Sequence, residues 1–317
     1  MNRYNIKKTL FWALIFTPFV IFILPILVGL ILTHPKRRKT EETPADYGLA
    51  YDEVEFKSDF QSVTLKGWWI PSKIPTNNTV ITAHGYTDER SQKTIQSLRL
   101  IQKIHDTNVN VLMFDFRNSG KSGGRSTGIG YYEQHDLTAA VDFVLKSKGQ
   151  SSVILLGWSM GAATSLLVGS RHPMVKGVIA DSPFHDLQTY LEENLNVWSK
   201  LPKKPFTPII IQSMKHLLRI DPKTVSPILE VQKGHNTSYL LIHGKNDERV
   251  PFTSSQLILA QIPKKSEKTI WLTDYGHITS YQEVPNEYEQ KILEFINNTF
   301  TSEVEGSLIN NIDNKLT

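Results

Sequence analysis

Cysteine is absent from all 317 residues. Disulfides, thiolate metal sites and a cysteine nucleophile are therefore excluded, though this absence fits either side of a bacterial-type membrane. Also missing are an HExxH motif, a close histidine pair on one helix face and a glycine-rich Walker loop, so no metal and no cofactor is expected. No internal repeat occurs. Acidic residues are missing from the first 39 positions, where Arg3, Lys7, Lys8, Lys36, Arg37, Arg38 and Lys39 supply seven positive charges. The whole chain is only +4, which leaves the remainder at −3. A faintly acidic body lacks the basic face that nucleic acid requires, so nucleic acid is not an expected partner.

Charge of either sign is missing from Leu10 to Leu32, LFWALIFTPFVIFILPILVGLIL. As a helix this run would extend about 35 Å, enough to cross a hydrocarbon core of about 30 Å. Pro18 and Pro25 would kink it, which membrane helices tolerate. A cleaved signal peptide fits less well, because THPKRRK follows where small residues should mark a cleavage site, and an entirely buried soluble helix fits less well because basic clusters stand at both ends. Residues 1–39 are therefore expected to be a retained single-pass anchor with basic flanks, spanning about 10–32. Three basic side chains precede the span and four follow it, so the positive-inside rule is nearly balanced. The short N-terminal tail favours a domain outside the cytoplasm.

With 40% hydrophobic and 21% charged residues, the chain has the composition of a folded globular protein. Residues 40–50, TEETPADYGLA, read as a linker. Beyond it QSVTLKGWWI, NTVITAHG, VNVLMFDF, SVILLGWS, VKGVIADS, TSYLLIHG and EKTIWLTD read as strands. Most are continuous apolar runs, the habit of parallel strands buried on both faces. Helical patterns alternate with them: SQKTIQSLRLIQKIHD, YYEQHDLTAAVDFVLKSK, the stretch after Ser159, TSSQLILAQI and NEYEQKILEFINNTF. This alternation predicts one α/β domain over 51–300, a mostly parallel sheet with helices on both faces. Residues 301–317 lose the apolar period and read as a flexible tail. Residues 182–238 contain no clear strand and are too long for a plain loop, so they read as a lid-like insertion. Within it Ile210, Met214, Leu217 and Leu218 fall at helical spacing.

Gly157-Trp158-Ser159-Met160-Gly161 lies between a strand and a helical pattern rich in small residues. A G-x-S-x-G in that setting is a nucleophile elbow: the sharp turn lifts the hydroxyl above the sheet edge beside a helix N-terminus. The other reading is a serine that caps a helix. A serine nucleophile needs a base, and the base an orienting acid. His277, in the loop after the last strand, is the expected base. His105, His135 and His172 sit on helical stretches and His34 flanks the anchor, while His185, His216 and His235 lie in the insertion and stay open. Asp247, just past a buried strand and ahead of His277, is the expected acid, with Asp181 and Asp274 as rivals. The oxyanion donors would be the backbone N–H of Met160 and of Tyr86, the latter in the loop after NTVITAHG. HGYTDE could also be a simple strand-to-helix turn.

With AHGYTD, DFRNSGKSGG, GWSMGA, IHGKNDERVP and GHITSY in that order, the chain from about Asp52 to Thr299 resembles the serine hydrolases of the α/β-hydrolase superfamily. It is similar within them to the membrane-attached BEM46-like hydrolases and the serine-aminopeptidase-like (S33) enzymes. The family often has Gly-His after the arginine of DFR, where this chain has Asn118-Ser119; that loop is structural in the family.

The resemblance and the motifs together imply a membrane-anchored serine hydrolase that cleaves a carboxylic ester or related acyl bond through Ser159, His277 and Asp247. The expected partners are a small-molecule or lipid-like acyl substrate and the membrane itself. Phe184, Tyr190, Trp198 and Phe206 of the insertion are candidate pocket residues, although lid packing would explain them as well. Lys200, Lys203 and Lys204 could face anionic lipid heads or simply be solvated. One alternative is an aminopeptidase or acyltransferase on the same residues. An aminopeptidase would need acid groups in the lid, where Glu192 and Glu193 form the only adjacent pair. Another is a tethered binding protein without turnover.

Overall fold

The computed structural model describes residues 8, 11, 12, 14, 16–234 and 236–316, the side chains of 302–316 excepted. Arg3, Lys7, Leu10 and His235 lie outside the described residues. The sheet has eight strands: β1 Asp52–Ser58, β2 Val63–Ile70, β3 Asn78–Ala83, β4 Asn110–Phe114, β5 Ser152–Trp158, β6 Val175–Asp181, β7 Ser238–Gly244 and β8 Lys268–Thr273. Their spatial order is β1-β2-β4-β3-β5-β6-β7-β8. Pairs β1/β2 and β2/β4 are antiparallel, and the rest are parallel. Seven strands match apolar runs in the sequence. The eighth, β1, reads DEVEFKS, with charge at alternate positions. As an edge strand it buries only Phe56 and Ser58, so no apolar run marks it.

Strand β5 shows why the others were legible. Val153 and Leu155 face one core with helices α3 (Glu133–Ser147), α4 (Met160–Gly169) and α7 (Thr253–Gln261). Ile154 and Leu156 face the opposite core with helices α2 (Ser97–His105) and α8 (Pro285–Leu316). Side chains alternate faces along a strand, so a sheet covered on both sides needs apolar residues at every position. Helix α8 passes residue 300, the boundary set by the loss of apolar periodicity. Residues 301–316 contain no proline, and a helix can continue without an apolar face.

The insertion folds as helix α5 (Leu187–Ser199) and helix α6 (Lys203–His216), followed by short turns. Its core is Phe184, Leu187, Tyr190, Leu191, Leu195, Ile210 and Met214. Leu217 falls just past α6 and is exposed, contrary to its expected place on the buried face.

Helix α1 (Leu24–Thr33) closes the apolar N-terminal run, and the helical stretch Phe16–Thr33 is long and apolar enough to cross a membrane. A π-turn over Phe19–Ile23 precedes α1, with the Leu24 N–H donating to the Phe19 carbonyl. Pro25 accounts for it, because a proline ring collides with the carbonyl four residues back and a widened turn makes room. One face of α1, carrying Pro25, Gly29 and Thr33, is buried, with Val28 and Leu32 against the insertion core.

Two buried ion pairs brace the loops above the sheet. The Arg90 Nε donates to Asp115 at 3.1 Å, and Arg117 grips Asp136 through Nε at 2.9 Å and a terminal nitrogen at 2.6 Å. Breaking such a pair leaves an uncompensated buried charge. Arg117→Met should therefore lower stability by about 3–5 kcal/mol, read by urea denaturation. A loss near zero would mean that the pair does not brace the fold.

Candidate active site

Strand β5 ends at Trp158 and α4 begins at Met160, so Ser159 alone makes the turn between them. Its backbone sits at φ 54°, ψ −116°, a region that costs a side-chain-bearing residue about 1–3 kcal/mol. Two bonds hold it there: Ser159 N–H to the Asp181 carbonyl at 2.8 Å, and Ala163 N–H to the Ser159 carbonyl at 3.0 Å. The flanking glycines make the turn possible. A methyl group on Gly161 would drive into the Ala83 carbonyl, and one on Gly157 into the backbone of Gly161.

His277 lies in the loop after β8. Its Nε2 is 2.9 Å from Ser159 Oγ and its Nδ1 is 2.6 Å from Asp247 Oδ2. The carboxylate can only accept, so Nδ1 carries the proton and Nε2 receives the serine hydroxyl. Asp247 lies past the end of β7, its side chain fully buried. Oδ1 accepts the N–H groups of Arg249 at 2.8 Å and Val250 at 2.9 Å. Burial pushes this carboxyl up, but hydrogen bonds from His243 and His277, the charge of His277 and the Val250 N–H outweigh it. Asp247 is held well below the usual carboxylate range.

His243 is a residue that sequence reasoning missed. It is wholly buried at the end of β7, with Nε2 3.0 Å from the Val250 carbonyl and 3.3 Å from Asp247. A carbonyl only accepts, so Nε2 bears the proton and Nδ1 takes the Ser255 hydroxyl at 2.7 Å. Its sole sequence signal is a histidine at a strand end, four residues before the acid.

The rival residues go elsewhere. Asp181 accepts from Tyr288 and Ser182, each at 2.9 Å, and Asp274 pairs with Lys245 at the surface. His185 meets Ser254, while exposed His216 meets Gln212 on its own helix. His105 bonds the Pro71 carbonyl, His135 stacks on Phe60, and His172 accepts the Met174 N–H.

Tyr86 and Met160 line the same cavity as Ser159. Among the described residues neither backbone N–H donates to a protein acceptor. The Tyr86 loop is fixed from below by buried His84, which bonds the Gly85 carbonyl at 2.8 Å and accepts the Phe116 N–H at 3.0 Å. Gln92 accepts the Gly85 N–H at 3.1 Å. Two free donors beside a serine hydroxyl can stabilise charge on a carbonyl oxygen as it turns tetrahedral.

Residues 75–226 match the family model described as serine aminopeptidase, S33. YqkD of Bacillus subtilis is 31% identical over 238 residues, covering 74% of this chain and 75% of YqkD. The chain belongs to the α/β-hydrolase superfamily. YfhR of Escherichia coli K12 is 28% identical over 254 residues, covering 77% of this hydrolase and 80% of YfhR. Among solved structures, the Pyrococcus furiosus esterase Pf2001 superposes with a TM-score of 0.70 at 26% identity. It covers 84% of this chain and 98% of its own.

The cavity of this α/β-hydrolase has a volume of about 510 Å³, with Ser159, Met160 and His277 in its lining. Phe184, Tyr190 and Trp198 from the insertion also line it. Phe206 does not: it sits in the first turn of α6, the helix that packs on α1, whereas the insertion's share of the wall comes from Phe184 and α5. Glu192 and Glu193 are exposed and also outside the lining. Leu32, from the apolar N-terminal helix, is part of the wall.

The lowered Asp247 carboxyl ties stability to acid. Its contribution is whole above the unfolded carboxylate value of about 3.9 and is lost as pH falls from there towards the folded value. The stability difference between wild type and Asp247→Asn should hold steady above about pH 5 and shrink below about pH 4. A difference that does not change with acid would mean that Asp247 is not held low.

Proposed function

We propose that this α/β-hydrolase is a membrane-anchored serine esterase. The observation that carries the reading is the continuous hydrogen-bonded chain Ser159–His277–Asp247 at a strained elbow inside an apolar-walled cavity. Ser159 Oγ attacks the ester carbonyl carbon while His277 Nε2 takes its proton, and the carbonyl electron pair moves onto oxygen. The Met160 and Tyr86 N–H groups hold that oxyanion. Collapse breaks the bond to the alcohol, which leaves with the proton from His277. Water then attacks the acyl-enzyme, gives a proton to His277, and Ser159 is released with the free acid. Asp247 stays ionised throughout, fixing the imidazole tautomer and balancing the imidazolium as it forms.

Support for an ester rather than a peptide substrate comes from the lid. Glu192 and Glu193, the pair available to hold a substrate amine, lie outside the cavity. The similar Pf2001 protein is an esterase. Anchoring is supported by the apolar helix Phe16–Thr33 between two basic clusters.

Ser159→Ala and His277→Ala should each lower kcat on p-nitrophenyl esters by at least about a thousandfold, with the thermal melt unchanged. A fluorophosphonate probe should label the wild type and not Ser159→Ala. Near-normal turnover in either variant would overturn the assignment.

A further inference from the structure

Leu32 occupies two places at once. It stands near the end of the apolar N-terminal run, packs against the insertion core, and lines the cavity that holds Ser159. Its carbonyl oxygen also accepts a hydrogen bond from the Tyr86 hydroxyl at 2.5 Å. Tyr86 lines the cavity and is the residue proposed to supply the second oxyanion N–H. On its other side its ring meets Trp198 edge-on, with centroids 5.9 Å apart. Tyr86 is thus clamped between the N-terminal helix and the lid.

The contact is built in, not incidental. The Thr127 N–H donates to the Thr33 carbonyl at 2.8 Å, and the Thr127 hydroxyl donates to buried Glu133 at 2.6 Å. Glu133 in turn accepts the Gly130 N–H at 2.7 Å. Arg37 donates to the Ser122 and Gly124 carbonyls, both at 2.5 Å. On α1 itself, Gly29 brings the backbone against Ser213 of α6, where an added methyl would sit 3.1 Å from the hydroxyl. Burial, with the charge of Glu133, pushes the Tyr86 phenol up to about 12, so it remains a donor at neutral pH.

A helix that served only as a tether would need none of this, because a flexible linker would hold the domain at the membrane equally well. We propose that the last turn of the N-terminal apolar helix is a working part of the active site. Leu32 forms part of the acyl wall of the cavity and, through its carbonyl, holds the Tyr86 loop in position, so the substrate is an apolar acyl ester drawn from the bilayer the helix enters. The inference rests on the serine esterase reading. Leu32 sets acyl specificity, and the Tyr86 phenol acts as a positioning group.

The test uses the full chain in phosphatidylcholine vesicles with p-nitrophenyl acetate, butyrate, octanoate and dodecanoate. Leu32→Ala should move the kcat/KM maximum to longer chains and Leu32→Trp to shorter ones. Tyr86→Phe should lower kcat about tenfold, the effect of one hydrogen bond, with KM little changed. Ile31→Ala, on the exposed face of the same helix, should leave the chain-length profile as it is. A maximum unmoved in both Leu32 variants, or an unchanged kcat in Tyr86→Phe, overturns the inference while fluorophosphonate labelling of the wild type leaves the esterase reading standing. A wild type that does not label overturns both.

Discussion

The site depends on a backbone contact that no side chain could survive. Gly161, at the start of α4, lies against the Ala83 carbonyl at the end of β3, and Gly157 lies against Gly161. This three-way approach lets β5 turn into α4 within a single residue. Ser159 bears the strain of that turn. The parallel strands on either side supply the rigidity, since β3 and β6 hold β5 through its length. Without the glycines, α4 would move off the sheet, and the serine hydroxyl with it.

Around this point the fold is arranged as nested supports. His84 and Gln92 fix the Gly85 backbone, and Arg90 with Asp115 fixes the segment that follows it. On the opposite side, His243 and the Arg249 and Val250 N–H groups fix Asp247, which fixes His277. Several of these supports are buried polar groups, and most of their polar atoms are paired, the Gln92 amide nitrogen being an exception. Their cost is met locally, so the reacting side chains need not rearrange to become aligned.

Much of this was legible in the sequence because chemistry and topology coincide at strand ends. Buried parallel strands appear as apolar runs, and Ser159, Asp247 and His277 each follow one. What the sequence hid was of two kinds. Some elements carry too little apolar signal: β1 is charged at alternate positions, and 301–316 stays helical without an apolar face. Other features are properties of three-dimensional neighbours. His243 looks like any strand-end histidine until Asp247 folds back beside it. Phe206 looked equivalent to Phe184, Tyr190 and Trp198, but the packing of α6 on α1 keeps it out of the cavity. Nothing in a long apolar run reveals that its final turns dock against the insertion, because lipid and protein interior ask for the same side chains.

The π-turn at Phe19–Ile23 gains significance from that docking. Residues from Leu24 onward are fixed to the domain, while the described apolar residues before the turn, Phe11, Trp12, Leu14 and Phe16, are exposed. Bilayers differ in thickness, and a helix shorter or longer than its surroundings responds by tilting. With the widened turn at the junction, tilt can be taken up where the helix is already irregular rather than along the docked segment. In the proposed membrane-anchored state, hydrophobic mismatch would be taken up ahead of Leu32, leaving the dimensions of the cavity independent of the surrounding lipid.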